Sequence, residues 1–375
     1  MGVMRFLYLG ILVLCSGMLA CGAGNGLGTP GGGGSTPHAG SPVYVTNSSA
    51  GSVSVYQLDQ TTGALQRTTG SPVTTGGSSP DSMATDPSKK FLLVANSSSS
   101  TISVFNVDST TAALSAVSGS PFGTPANSVR MVVQPNGSFV YTLSGTQILG
   151  YSLNSTSGTL ALLSGFPVSL NGSGETGLAL SPNGGFLYAS NPSTNVITSF
   201  AIGSSGALTQ LATTSPLQGS PTYLTFDSSG NFLFGINVGG SLGAGSVSVF
   251  SVLPTGALTE VSGSPFLAGT MPVSAVFSQG ALYVVNQTSN SVSAFRLNSS
   301  TGQLIELNGS PYAVGARPVS AAAAVLGRFL VVTSSASSNG GSILVFTVAA
   351  DGTLTQVTGS PFTPDTPVPD QVLAL

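Results

Sequence analysis

A six-residue phrase returns seven times along this chain, and its spacing constrains the fold more than any other feature. The copies are PVYVTN from Pro42, FLLVAN from Phe91, FVYTLS from Phe139, FLYASN from Phe186, FLFGIN from Phe232, ALYVVN from Ala281 and FLVVTS from Phe329. Successive starts lie 49, 48, 47, 46, 49 and 48 residues apart. A period of this length marks one supersecondary unit, stacked so that each copy buries its apolar face against the next.

Every unit has the same internal order. A polar Ser/Asn/Gly loop follows the phrase and leads to an alternating stretch such as Val53-Ser54-Val55-Tyr56 or Val247-Ser248-Val249-Phe250. Alternation with period two is the signature of a half-buried strand. One aromatic holds the same register in each copy: Tyr56, Phe105, Tyr151, Phe200, Phe250, Phe295 and Phe346. Seven aromatics in one register are expected to pack between neighbouring units. A turn of the form TGAL, TGQL or DGTL comes next, with Gly63, Gly158, Gly206, Gly256, Gly302 and Gly352 in one column and Ala112 as the exception. A third short strand runs into Gly-Ser-Pro, and a connection reaches a fourth strand such as Gly177–Leu180.

Four short strands per unit and no helical period predict an all-β fold, a seven-bladed β-propeller of four-stranded antiparallel blades. The phase of the chain predicts how it closes. The fold starts on the second strand of a blade, Val43-Tyr44-Val45, and ends on a fourth-type strand, Gln371 to Leu375. The C-terminal strand is expected to pair with the first blade and close the ring, which removes the free edges an open array would leave. An array of β-sandwiches fits seven near-equal units with split ends less well.

The segment before the repeats differs in kind. Arg5 precedes an apolar run of fifteen residues, Phe6 to Ala20. That is too short to span a bilayer and suits a signal peptide. Met18-Leu19-Ala20-Cys21 resembles the lipobox of bacterial lipoproteins, with Met where Leu is usual. The resemblance implies cleavage before Cys21, lipidation of that residue and anchoring in the envelope; Gly22, where a retention signal would have Asp, favours the outer membrane. Residues 21–42 then form a Gly/Pro/Ser tether, and residues 43–375 the propeller. Cys15 lies in the segment to be removed and the sole histidine, His38, in the tether.

Charge is scarce. Eight Lys or Arg and eleven Asp or Glu make 5% of 375 residues, against about 25% in ordinary soluble chains. The net charge of −3 offers no footprint for nucleic acid. Two cysteines exclude a disulfide framework and a cysteine-rich zinc module. No calcium-loop spacing or phosphate-binding glycine motif occurs, so no metal or cofactor is expected. Aligning the starts of the seven innermost strands places Asp81, Arg130, Glu175 and Asp370 around one rim of the central channel, with Tyr223 in the Arg130 column and Arg317 just before Pro318. Five of the 18 charges after residue 42 thus fall near one place. Strand starts also face water, so the same charges suit capping of blade ends.

The YVTN phrase at Tyr44–Asn47, the Thr-Gly-x-Leu turns, the Gly-Ser-Pro joints and SPNGGFLYASN at Ser181–Asn191 resemble the lactonase-like seven-bladed propellers and the YVTN-repeat surface propellers. The resemblance covers residues 42–375. It implies a site at the channel mouth and, in the enzymes, lactone hydrolysis by His, Arg and Glu, as in 6-phosphogluconolactonases. Here the repeats contain no His, and Asn286 is followed by Gln287 where relatives often have Glu. The leading expectation is therefore an envelope-anchored, monomeric binding or scaffold module without catalysis. Its partner would be an envelope glycan or protein, or a small molecule at the mouth held by Asp81, Arg130, Glu175, Tyr223, Arg317 and Asp370. The alternative is a lactone hydrolase using Glu175, Arg130, Arg317 and Asp81. The uneven loops, longest at Gly239–Gly245, suit partner binding on one sector.

Overall fold

The computed structural model describes residues 40–170, 176–239, 244–336 and 340–375. The signal segment, the tether with Cys21, Glu175 and most of the Gly239–Gly245 loop lie outside the described residues. Seven antiparallel sheets follow one another around a ring. We number them from the sheet holding the first repeat. The innermost strands of blades 2 to 7 are Pro80–Thr85, Arg130–Val133, Gly177–Leu180, Ser220–Phe226, Pro272–Ser278 and Pro318–Ala324. Blade 1 takes its inner strand from the other end of the chain. Val372–Ala374 pairs with Ser41–Asn47 in the register Val43 to Ala374, Tyr44 to Leu373 and Val45 to Val372. Closure therefore occurs as the repeat phase predicts. Each inner strand touches the next around the circle, from blade 2 through blade 7 to blade 1 and back to blade 2.

Among the described residues the core forms seven buried apolar clusters, each shared by two neighbouring blades. The aromatic column sits there, each member 1–3% exposed. Burying one such ring stabilises the fold by roughly 1.5–3 kcal/mol, and an unrepeated blade would have nothing to bury it against.

Polar residues of the repeat lock the sheets. The Asn ending the YVTN phrase donates from Nδ2 to two hydroxyls of the next strand: Asn47 to Ser52 and Ser54, Asn96 to Thr101 and Ser103, Asn237 to Ser246 and Ser248, Asn286 to Ser291 and Ser293. This explains the Ser-x-Ser rhythm of the following strand. The Ser of Gly-Ser-Pro also has a defined role. Its Oγ accepts the main-chain N–H of Val55, Val104, Val249, Ala294 or Val345 at 2.8–3.0 Å. Pro does not simply end pairing there, as a reading of its missing N–H suggests. The two residues beyond it return to the same strand in five blades, as Phe122–Gly123 does with Thr101 and Ile102. The outer edge of those blades is one strand broken in two.

Candidate functional site at the channel mouth

The inner strands of blades 2, 5, 6 and 7 begin alike. Pro pairs with the neighbouring strand, the next residue is bulged out, and pairing resumes one residue later: Pro80 with Asn96, then Ser82 with Ala95. The same shift occurs after Pro221, Pro272 and Pro318. Repeated bulges of this kind re-aim side chains at a rim. Two successive positions, which a regular strand would send to opposite faces, here line one pocket. It measures about 190 Å³ and is lined by Asp81, Arg130, Tyr223, Val273, Ser274, Val319, Ser320, Asp370 and Gln371.

Four of the six residues singled out from the sequence therefore meet: Asp81, Arg130, Tyr223 and Asp370. Glu175 is outside the described residues, and its neighbour Thr176 is half-buried beside the site. Arg317 is exposed and lines neither this pocket nor the channel beneath it. It lies one residue ahead of the strand, in the left-handed region at φ 53°, with its main-chain N–H donated to Asn290 Oδ1 of blade 6. Ser274, Ser320 and Gln371 join the lining. The signal for them was present, since they share the alignment column of Arg130 and Tyr223.

Arg130 is held from two sides. Its Nε donates to the Thr176 carbonyl at 3.2 Å, and its guanidinium lies over the Tyr223 ring, 5.3 Å from the centroid. Such stacking fixes the plane of the group and leaves the remaining N–H donors to the cavity. Asp370 accepts the Ser48 N–H at 2.9 Å. Asp81 accepts a hydroxyl hydrogen bond from Ser97. Burial holds the Asp81 carboxyl above the ordinary aspartate range, against the lowering effect of the Ser97 bond; Asp370 raises it further and Arg130 lowers it. Most other acids are committed to structure. Asp86 and Asp227 accept the N–H of Phe91 and Phe232, Asp108 caps its turn through Thr110 and Thr111, and Asp365 pairs with Arg67 at 2.9 Å. Among the described residues no cluster of three or more His, Cys, Asp or Glu is placed to hold a metal. What remains is a perturbed carboxyl, an oriented guanidinium and several hydroxyl and amide groups around a small cup.

The sequence matches the family model for the lactonase seven-bladed β-propeller over residues 35–131, 130–238 and 238–369. The chain belongs to that family. No curated protein matches it. Among solved structures, a proposed 6-phosphogluconolactonase from Bacteroides fragilis superposes with a TM-score of 0.74 at 20% identity, covering 91% of this chain and 99% of that one. A second from Bacteroides uniformis gives 0.74 at 20%, covering 90% and 100%. The periplasmic gluconolactonase of Pseudomonas aeruginosa gives 0.59 at 24%, covering 71% and 80%. At these identities the likeness is one of fold. Of the Asn286-Gln287 pair, Asn286 is fully buried, with its Nδ2 in the sheet lock described above.

Proposed function

We propose that this protein is a lactone hydrolase acting at the channel mouth, the alternative rather than the leading expectation from the sequence. The observation that carries the reading is Asp81, a carboxyl raised by burial, in one small pocket with an oriented arginine. Raised carboxyls in clefts suit general-base work near neutral pH. Membership of the lactonase family supports the same reaction class.

The chemistry follows from the groups present. Asp81 takes a proton from water as the water oxygen bonds to the lactone carbonyl carbon. Arg130 donates to the oxyanion that forms, the kind of fixed donor whose loss costs roughly 10²–10³ in rate. The ring C–O bond then breaks, and Asp81 returns its proton to the departing alkoxide. The product is a hydroxy acid. Asp370 and Ser274 offer acceptors and donors to substrate hydroxyls.

The substrate is an unphosphorylated lactone. Phosphate recognition calls for several cations, and the described mouth offers Arg130 alone beside Asp81 and Asp370. An envelope location agrees with this, and we propose that Cys21 carries the anchoring lipid. Two or more acyl chains anchor firmly, so Cys21→Ser should move the protein from the membrane fraction to the soluble fraction of the envelope. Retention of the variant in membranes would remove the lipid assignment.

Activity is tested with the purified protein on a panel of γ- and δ-lactones, followed by proton release. Asp81→Asn should lower kcat by about 10²–10⁴ with the fold intact by circular dichroism. A panel in which nothing opens above the buffer rate would leave a non-catalytic binding module as the better reading.

A further inference from the structure

Asp370 and Gln371 reach the mouth on the last segment of the chain, just ahead of the strand that closes the ring. Gln371 is fastened on two sides. Its main-chain N–H donates to Thr46 Oγ1 at 3.0 Å, and its carbonyl accepts the Thr46 N–H at 3.0 Å, both within blade 1. Its side chain crosses to blade 2, where Oε1 accepts the Met83 N–H. A main-chain N–H can only donate, so the amide oxygen faces Met83 and the NH2 group faces away from it. That NH2 group makes no hydrogen bond among the described residues and is not sealed from solvent. On a residue that lines both the mouth and the channel beneath it, it offers two N–H donors to the cavity.

The rest of the mouth shows what such donors can serve. Ionised, Asp81 and Asp370 only accept; Val273 and Val319 are apolar, and the hydroxyl hydrogens of Ser274 and Ser320 rotate. Among the described lining residues, Arg130 and Gln371 are thus the two side chains with N–H donors, and each is oriented by a neighbour. They stand in the same column of the repeat, on blades 3 and 1, with Asp81 on the blade between them. Opening an ester-type carbonyl needs this combination: a base for the water, and held donors for the charge that grows on the carbonyl oxygen. A second cation would pull Asp81 further down and weaken it as a base, whereas a neutral amide adds a donor without that effect.

We infer that the Gln371 NH2 group is a second oxyanion donor, acting with Arg130 on the carbonyl oxygen of the lactone. The inference rests on the lactonase reading of the mouth. As the water oxygen bonds to the carbonyl carbon, the C=O π pair moves onto the oxygen, and Gln371 and Arg130 share that charge. The pair returns when the ring C–O bond breaks, and the amide keeps both its protons throughout.

The test compares a lactone with its thionolactone, in which sulfur replaces the carbonyl oxygen and accepts hydrogen bonds poorly. Both are assayed with the full protein and with Gln371→Glu, which keeps an oxygen for the Met83 N–H but offers no N–H to the cavity. With the fold intact by circular dichroism, kcat on the lactone should fall by about 10²–10³ and kcat on the thionolactone little. The preference for oxygen over sulfur then collapses. Gln371→Met, which adds no charge beside Asp81, should show the same collapse and replaces the glutamate if that variant disturbs the ring. Equal losses on both compounds would show that Gln371 only holds the closing strand, and unchanged rates would show that it takes no part. Either result would overturn the donor assignment and leave the lactonase reading intact. A wild-type protein that opens neither compound would overturn the lactonase reading itself, and the assignment with it.

Discussion

At the scale of single residues, charge matters where burial makes it expensive. Asp81 must be ionised to act as a base, so kcat/KM should fall as pH drops through its raised pKa. Arg130→Met removes the cation that lowers that pKa. The acid limb of the variant should shift upward, on top of a rate loss of about 10²–10³; an unmoved limb would assign it to another group. The stability effect has its own sign. A carboxyl with a folded pKa above its unfolded value favours the fold only while protonated, below about pH 3.9. That contribution is lost as pH rises through the folded value. Asp81→Asn should therefore raise Tm at pH 7 and change it little at pH 3. Four tyrosines show a similar dependence at the alkaline end. Tyr44, Tyr141, Tyr188 and Tyr283 donate to the carbonyls of Ala112, Gly206, Gly256 and Gly352, each in the next blade. Burial pushes Tyr188 and Tyr283 up to about 12. Their contribution is complete below about pH 10 and disappears as pH climbs through 12. Tyr283→Phe leaves the buried Gly352 carbonyl unpaired and should cost about 1–3 kcal/mol at pH 7. Its stability should fall less steeply between pH 10 and 12 in a thermal melt series.

At the scale of elements, the turn glycines and the strand before them act as one joint. A Cβ on Gly158 would sit 2.7 Å from the Phe91 ring of the preceding blade, and one on Gly256 2.5 Å from Phe186. Both glycines also have positive φ. Gly158→Ala should cost on the order of 1–3 kcal/mol by crowding and strain together, seen as a lower urea midpoint with an unchanged m-value. The exception in the column has a partner exception. Ala112 meets blade 1, whose repeat begins with Pro42 where five others have Phe. The glycine column was legible in the sequence, but the ring it faces was not, because the contact joins residues about 67 positions apart in different blades.

At the scale of the whole molecule, the ring depends on three residues at its end. Val372–Ala374 completes blade 1, and Gln371 bonds to Thr46 and Met83 on either side. The linker before it is fastened by the Arg67–Asp365 pair and by the Asp365 N–H donating to the Tyr56 hydroxyl at 2.9 Å. A chain ending at Pro369 would expose an apolar strand edge and open the channel wall. It should lose its single cooperative melting transition and associate through Ser41–Asn47 on size-exclusion chromatography. A truncated chain that remains monomeric and melts as one unit would show that blade packing alone holds the ring.

The sequence by itself determined the number of blades, their strand order and the point of closure. Those follow from a period and a phase, and both are local patterns repeated seven times. It also placed Asp81, Arg130, Tyr223 and Asp370 on one rim, because equivalent positions of a ring of like units must share a height. Tertiary structure decided what each charge does there. Arg317 is one residue from the rim column in sequence, yet it lies in the connecting loop, because strand pairing begins at Pro318. Asp86, Asp227 and Asp365 carry the same side chain as Asp81, but main-chain donors or an arginine already satisfy them. Burial and partners belong to the packed ring, so the raised Asp81 carboxyl in one pocket with an oriented guanidinium emerged only when the blades were set side by side.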